Sequence, residues 1–422
     1  MNIQSNHART VVCGTLISIL CLLSVSSFAA TGTLIYRLYL PDGPWLKSPL
    51  PEITYHYSDG RESRTLPTCP QNQLSWLYHL LVGPGQEKHC AWPEFANPLY
   101  NVFLNSALPD SASYYWVSHF DIDPFMSIEV AGTFVDARFM SLNVYDATGS
   151  SFERNGIVSG LADYQILPQE VDANPWQSSA QPGAKYVINV VPNPTQFGAE
   201  LPYPELEEGA PVGTYPEPCT DQCPPTNYFF RGARGVGLLG EVNNAYLSAL
   251  IQPQDGQVLV IRGRAPVSKM NRLAQPWPAQ EQVRYWSLCN YIYESPYPLV
   301  INADINGLFN GQLLKPSCAK DIDIPLDGVQ HYTIVVGKSS DKPQSLPDDV
   351  VWLSHSELFP NQRHILLLRN QLPNNFPQAI QNVPQDFNPL SAFSVMGLYY
   401  PRIHPCDAET FTNLGWQACI QQ

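Results

Sequence analysis

The sequence predicts an all-β protein with minor helices, built from tandem, duplicated β-sandwich units of jelly-roll type. Three observations carry this. Short runs of β-branched and aromatic residues alternate with turn residues: Thr33–Leu40 ends at Pro41-Asp42-Gly43-Pro44, and Ile53–Tyr57 ends near Asp59-Gly60. The chain holds 40 prolines in 422 residues, which favours many short elements over long helices. Finally, one segment occurs twice. Arg138-Phe139-Met140-Ser141-Leu142-Asn143-Val144-Tyr145 returns as Arg284-Tyr285-Trp286-Ser287-Leu288-Cys289-Asn290-Tyr291, an offset of 284 − 138 = 146. Tyr186–Val190 and Tyr332–Val336 keep that offset, since 332 − 186 = 146, as an internal duplication would.

Residues 1–29 have the pattern of a secretory signal: Arg9, an apolar run from Val11 to Val25, and small residues around Ser27-Phe28-Ala29. The apolar run is short for a retained membrane anchor, which needs about 20 residues. The mature chain is therefore expected to be exported, to periplasm or extracellular space, without a transmembrane segment. Cleavage removes Arg9 and leaves 23 − 1 = 22 basic against 37 acidic residues, a net charge of −15. That charge disfavours nucleic acid and anionic lipid as partners.

Eight cysteines remain, in four local couples: Cys69 with Cys90, Cys219 with Cys223, Cys289 with Cys318, and Cys406 with Cys419. In an exported chain they predict disulfides. Zinc is the alternative for Cys219 and Cys223, although no second Cys or His couple lies beside them.

The expected organisation is a 30–110 region of strands with a helical insert, a β repeat over 111–236, a second over 237–370, and a 371–422 tail. In the first region, Leu74, Leu77, Tyr78 and Leu81 recur at helical spacing, predicting a helix over 71–82; residues 98–104 are a candidate for a short helix. Repeat one offers strands at Tyr114–Phe120, Arg138–Tyr145 and Tyr186–Val191. Its Tyr228-Phe229-Phe230-Arg231 resembles Leu366-Leu367-Leu368-Arg369 of repeat two. The 192–227 stretch is rich in proline and acid and is expected to be a surface loop. In repeat two, Tyr246–Ile251 answers Tyr115–Phe120, and Val258–Ile261 follows. In the tail, Asp407 is placed to cap a short helix held by Cys406 and Cys419.

Two sets of residues can carry chemistry. On the repeated strand, alternation puts Tyr285, Ser287 and Tyr291 on one face, and Ser141 and Tyr145 on the matching face of repeat one. With Arg284 and Arg138, these form a candidate surface for a small-molecule or carbohydrate ligand. The alternative is a packed interior face on which each arginine meets a buried carboxylate. His119, Asp121 and Asp123 share one strand face and are the candidate ligands for a divalent metal, the one cofactor the chain hints at; a solvated strand end is the competing description. Gly235-Val236-Gly237-Leu238-Leu239-Gly240 has the dinucleotide-binding spelling but precedes an expected strand, so it is taken as a junction. His355 lies near Asp348, Asp349, Ser354 and Ser356, but proximity in sequence does not make a triad.

Trp286-Ser287-Leu288, the Tyr332–Val336 strand, Trp352-Leu353 and Leu366–Arg369 resemble the pattern of an exported or envelope bacterial family, the domain of unknown function 1214 family. The resemblance spans about residues 245–370 and, more faintly, 111–236, where Met140 replaces the tryptophan. It implies a jelly-roll-like sandwich and no settled activity. Duplicated scaffold and abundant aromatics favour a protein that binds a small ligand, a carbohydrate or an envelope protein. An exported hydrolase, metal-assisted through His119, Asp121 and Asp123, and a structural envelope protein are the alternatives.

Overall fold

The computed structural model describes residues 31–41, 49–70, 90–100, 105–171, 173–205, 224–232, 239–252, 254–268, 281–304 and 313–421. The expected signal, the 71–82 helix, most of the 98–104 helix, the Cys219–Cys223 couple and most of the glycine-rich junction lie outside them.

In chain order the first sandwich holds β1 (Thr31–Tyr39), β2 (Glu52–Tyr57), β3 (Ser113–Asp121), β4 (Met126–Thr133), β5 (Phe139–Tyr145), β6 (Gly160–Ala162), β7 (Lys185–Val191) and β8 (Glu200–Pro202). One sheet runs β6-β5-β1-β3, extended by Glu94–Ala96; the other runs β8-β7-β4-β2, extended by Arg64–Leu66. The core between them pairs Leu34, Leu38, Met140, Leu142 and Val144 with Ile128, Val130, Ile188 and Val190.

The second sandwich holds β9 (Asn244–Ile251), β10 (Gln257–Arg264), β11 (Val283–Ile292), β12 (Cys318–Lys320), β13 (His331–Gly337), β14 (Val350–Ser354), β15 (His364–Pro373) and β16 (Arg402–Asp407). Its sheets run β12-β11-β15-β9 and β14-β13-β10-β16. Trp286, Leu288, Leu366 and Leu368 pack there against Leu259, Ile261, Ile334 and Val336.

The two sets of sheets have the same strand order. β3 to β8 occupy the places of β9 to β14, and β7–β8 and β13–β14 are both parallel pairs. The remaining places are filled from opposite ends of each unit: β1 and β2 begin the first sandwich, whereas β15 and β16 end the second. Paired registers agree. Arg37 faces Ser141 and Tyr115, and Arg369 faces Ser287 and Tyr246. Close packing agrees as well: a Cβ on Gly132 would meet the Tyr186 hydroxyl at 2.5 Å, and one on Gly263 would meet that of Tyr332 at 2.7 Å.

This placement corrects the expected boundaries. The first sandwich begins at β1, not at residue 111, because β1 is a central strand buried along its whole length. The second takes β16 from the expected tail. Arg37, not Arg231, is the counterpart of Arg369; Phe230 makes only an isolated bridge to Ser248. The expected 192–227 loop contributes β8. Disulfides join Cys69 to Cys90, Cys289 to Cys318 and Cys406 to Cys419. The tail carries α1 (Pro389–Met396) and α2 (Ala408–Leu414). Asn388 caps α1 through the Leu390 N–H, and Asp407 caps α2 through the Thr410 N–H. Among the described residues no helix is long and apolar enough to cross a membrane.

Candidate functional site

Alternation on β5 and β11 sends Met140, Leu142, Val144, Trp286 and Leu288 into the two cores. The opposite faces carry the tyrosines and serines expected to meet a ligand, whereas Arg138 and Arg284, at the strand starts, share the parity of Met140 and Trp286. Arg138, Ser141, Tyr145, Arg284, Tyr285, Ser287 and Tyr291 are each 0% exposed. The ligand-facing expectation is corrected accordingly: the face is filled by the other sandwich and by the segments leading into β3 and β9.

Two clusters fill it in parallel fashion. Glu241, which leads into β9, reaches across to Arg37 on β1 (Nη1–Oε2 3.3 Å) and accepts from the Ser141 hydroxyl at 2.7 Å. Arg37 also donates to Asn143 Oδ1 at 2.7 Å and to the Leu239 carbonyl at 2.7 Å, and the Tyr145 hydroxyl donates to the Gly240 carbonyl at 3.0 Å. Asp110, which leads into β3, reaches in the other direction to Arg369 on β15 and accepts from the Ser287 hydroxyl at 2.7 Å. Arg369 also donates to the Leu108 carbonyl at 3.3 Å, and the Tyr291 hydroxyl donates to the Pro109 carbonyl at 3.0 Å. Leu108 and Leu239 both adopt left-handed backbone, with φ of 55° and 58°.

Between these clusters the repeated arginines cross. Arg138 Nη1 lies 2.9 Å from Asp321 Oδ2 of the second sandwich, and Arg284 Nη1 lies 3.1 Å from Asp163 Oδ2 of the first. Arg138 donates to the Arg284 carbonyl at 3.3 Å, and Arg284 to the Arg138 carbonyl at 3.2 Å. Residue i meets j while j meets i, the pattern of an isologous interface, here within one chain. Tyr39, Phe139, Ala162, Tyr285 and Leu372 supply the apolar filling beside it. Burial pushes the Asp163 and Asp321 carboxyls upward, against the opposing pull of Arg284 and Arg138 respectively. Arg369 is held above the usual range: burial opposes its charge, but Asp110 and the surrounding tyrosines outweigh that. Each charge is answered inside the protein, so this arrangement holds surfaces together.

The expected metal ligands do not converge. His119 Nδ1 lies 3.0 Å from the Thr33 hydroxyl and its Nε2 3.4 Å from Glu94. Asp121 is exposed at the end of β3, and Asp123 pairs with Arg61 at 2.7 Å. Among the described residues the three-ligand grouping that forms is Asp110, Cys289 and Cys318, and its sulfurs are bonded to each other.

Open surface lies elsewhere. A groove of about 240 Å³ on the first sandwich is lined by Asp146, Thr148, Phe152, Glu153, Arg154 and Glu205. Around α1, Phe387, Leu390, Phe393 and Leu398 are 44%, 74%, 40% and 65% exposed. A cleft beneath it, between Arg264, Trp286, Tyr332 and Tyr399, holds only about 10 Å³.

Sequence reasoning named Arg138 and Arg284 but missed Arg37, Arg369 and all four carboxylates. The signal was available: 239 − 108 = 131 and 241 − 110 = 131, the same spacing that relates Tyr115 to Tyr246. That spacing grows to 146 and then to 321 − 163 = 158 as loops lengthen, so no single offset reveals the set.

No protein-family model matches the chain, and no curated protein does. Among solved structures it is similar to an uncharacterized protein from Burkholderia cenocepacia, 10% identical, over 68% of this chain and 76% of that one, with a TM-score of 0.36. A likeness at that level carries no inference about fold or function.

Proposed function

We propose that this chain is an exported bacterial binding protein in which a duplicated sandwich, permuted in its second copy, forms one rigid body that engages an envelope protein through the apolar surface around α1. The observation that carries the reading is that surface. Residues 387–401 contain no charged side chain, and four large apolar ones within 387–398 face solvent. The matched strand orders and reciprocal arginine pairs support duplication, with the strands corresponding to β1 and β2 transferred to the end of the second copy. Three disulfides support an oxidising compartment.

A photo-crosslinking residue placed at Leu390 or Leu398 in cells tests this. The expected result is a defined adduct with one envelope protein, lost when Phe393→Glu is added and missing when the crosslinker sits at Val171, 92% exposed on the first sandwich. No adduct at 390 and 398, or the same adduct at 171, contradicts it. A second reading, carbohydrate binding, is favoured by the Phe152 ring among the polar groups of the 240 Å³ groove. It predicts saturable glycan binding lost in Phe152→Ala.

A further inference from the structure

Two histidine rings are buried side by side in the second sandwich. His355 follows β14 and His364 opens β15; they are 3% and 0% exposed, with ring centroids 5.0 Å apart. Asn290 of β11 orients one of them. Its Nδ2 donates to the Ser354 carbonyl at 3.0 Å, which leaves Oδ1 to accept from His364 Nδ1 at 3.0 Å. His364 Nε2 and both nitrogens of His355 are buried without a hydrogen-bond partner. A proton on either ring would add a buried charge, with an N–H that nothing receives. Among the described residues neither ring pairs with a carboxylate. Lys338, past β13, pairs with Asp255; Lys315 pairs with Asp304 beside the paired Ile301–Ala303 and Leu314–Pro316 strands. Glu357, in the turn after His355, accepts from Ser339; Glu294, past β11, accepts from Gln362; Arg363 adjoins His364 in the chain.

We propose that the pair is an acid-released latch, in which His355 leaves the interior on acidification and the 355–363 turn lets go of the Ile301–Ala303 strand. The turn is held there by Asn302, whose Nδ2 donates to the His355 carbonyl at 2.8 Å and whose Oδ1 accepts from the Glu357 N–H at 3.1 Å. His355 is the ring placed to move. It ends an edge strand, and Leu358 and Phe359 of the turn after it are 79% and 47% exposed, whereas His364 opens a strand paired on both sides. Burial and Lys338 hold His355 down to about 4 in the closed form, and burial and His355 hold His364 down to about 3. A ring released to water takes up its proton near the ordinary value of about 6.5. The closed form therefore has its full stability above about pH 6.5 and loses it as pH falls toward the closed-form values. The open-to-closed ratio rises about tenfold per pH unit for each ring released. The latch is independent of the α1 surface, and either can fail alone.

The test is amide hydrogen exchange on the full protein, disulfides intact, corrected for the intrinsic pH dependence of exchange. The His355 N–H, bonded to the Gly337 carbonyl at 2.9 Å, and the Glu357 N–H report the latch; the Val144 N–H, bonded to the Ser159 carbonyl at 2.7 Å in the first sandwich, is the control. From about pH 6.5 to about pH 4.5 the opening constant at His355 and Glu357 is expected to rise about 100-fold while that at Val144 stays level. His355→Phe keeps a flat ring that takes no proton and should flatten the rise. Should that variant not fold, imidazole ¹⁵N spectra of the unmutated protein at about pH 5.5 decide, with both buried rings expected neutral. Exchange level with pH at His355 and Glu357, an equal rise at Val144, a rise kept in folded His355→Phe, or a native imidazolium at 355 or 364 overturns the proposal.

Discussion

Asp110 accepts hydrogen bonds from Arg369, Ser287 and Tyr285 at once, and is itself fully buried. Asp110→Ala leaves the Arg369 charge uncompensated, and should cost about 3–5 kcal/mol in denaturant unfolding. Ser287 is a working member of the same cluster. Ser287→Ala removes a donor to a buried carboxylate and should cost about 1.5–3 kcal/mol, well beyond what a solvent-facing hydroxyl would. Trp286→Ala, on the core side, should cost about 3–5 kcal/mol through the cavity it leaves. If Ser287→Ala leaves the midpoint unchanged, the hydrogen-bonded cluster does not hold as described. At this scale the sequence was half legible. A repeated arginine beside small polar residues announced a buried pairing. Its partner could not be found, because the carboxylates lie 121 to 259 residues away in the chain, in segments with no pattern of their own.

Among the elements, β1 and β15 decide the architecture. Each is a central strand carrying an arginine, and each pairs with the repeated strand beside it. Strand type and position were readable from alternation and turn residues: β3, β5 and β7 fall within a residue of expectation. Their grouping was not, because the central place that β1 takes at the start of the first sandwich is taken by β15 at the end of the second, and neither strand's sequence marks that. That is why Leu366–Arg369 was matched to Tyr228–Arg231 rather than to Leu34–Arg37. The tail was more legible, since caps and cysteines act locally. Cys406–Cys419 ties β16 to the helices that follow, closing a loop of 13 residues. Cys406→Ser with Cys419→Ser should lower stability by about 3 kcal/mol. Asp407→Ala should lower it by about 1 kcal/mol through lost capping. Equal midpoints for wild type and the double serine variant would show that this segment does not share in the cooperative unit.

For the whole molecule, the account rests on four buried arginine–carboxylate pairs, each linking one sandwich to the other or to the segment that leads into it. Buried pairs of this kind add little net stability over apolar packing, yet are costly to break from one side only. They therefore specify how the two sandwiches meet. The all-β class was visible in composition and periodicity. The interface was not, because a face of tyrosine, serine and arginine describes a ligand surface as well as a buried polar contact, and only the position of the partner separates them. The measurement that bears most directly on this is a double-mutant cycle between Arg369 and Asp110, by reversible denaturant unfolding of the protein. The account predicts that either alanine substitution alone costs about 3–5 kcal/mol and that the double variant costs no more than the worse single one, a coupling of about 3 kcal/mol. Additive losses would mean that the two residues do not answer each other, and that the face between the sandwiches is not held as described.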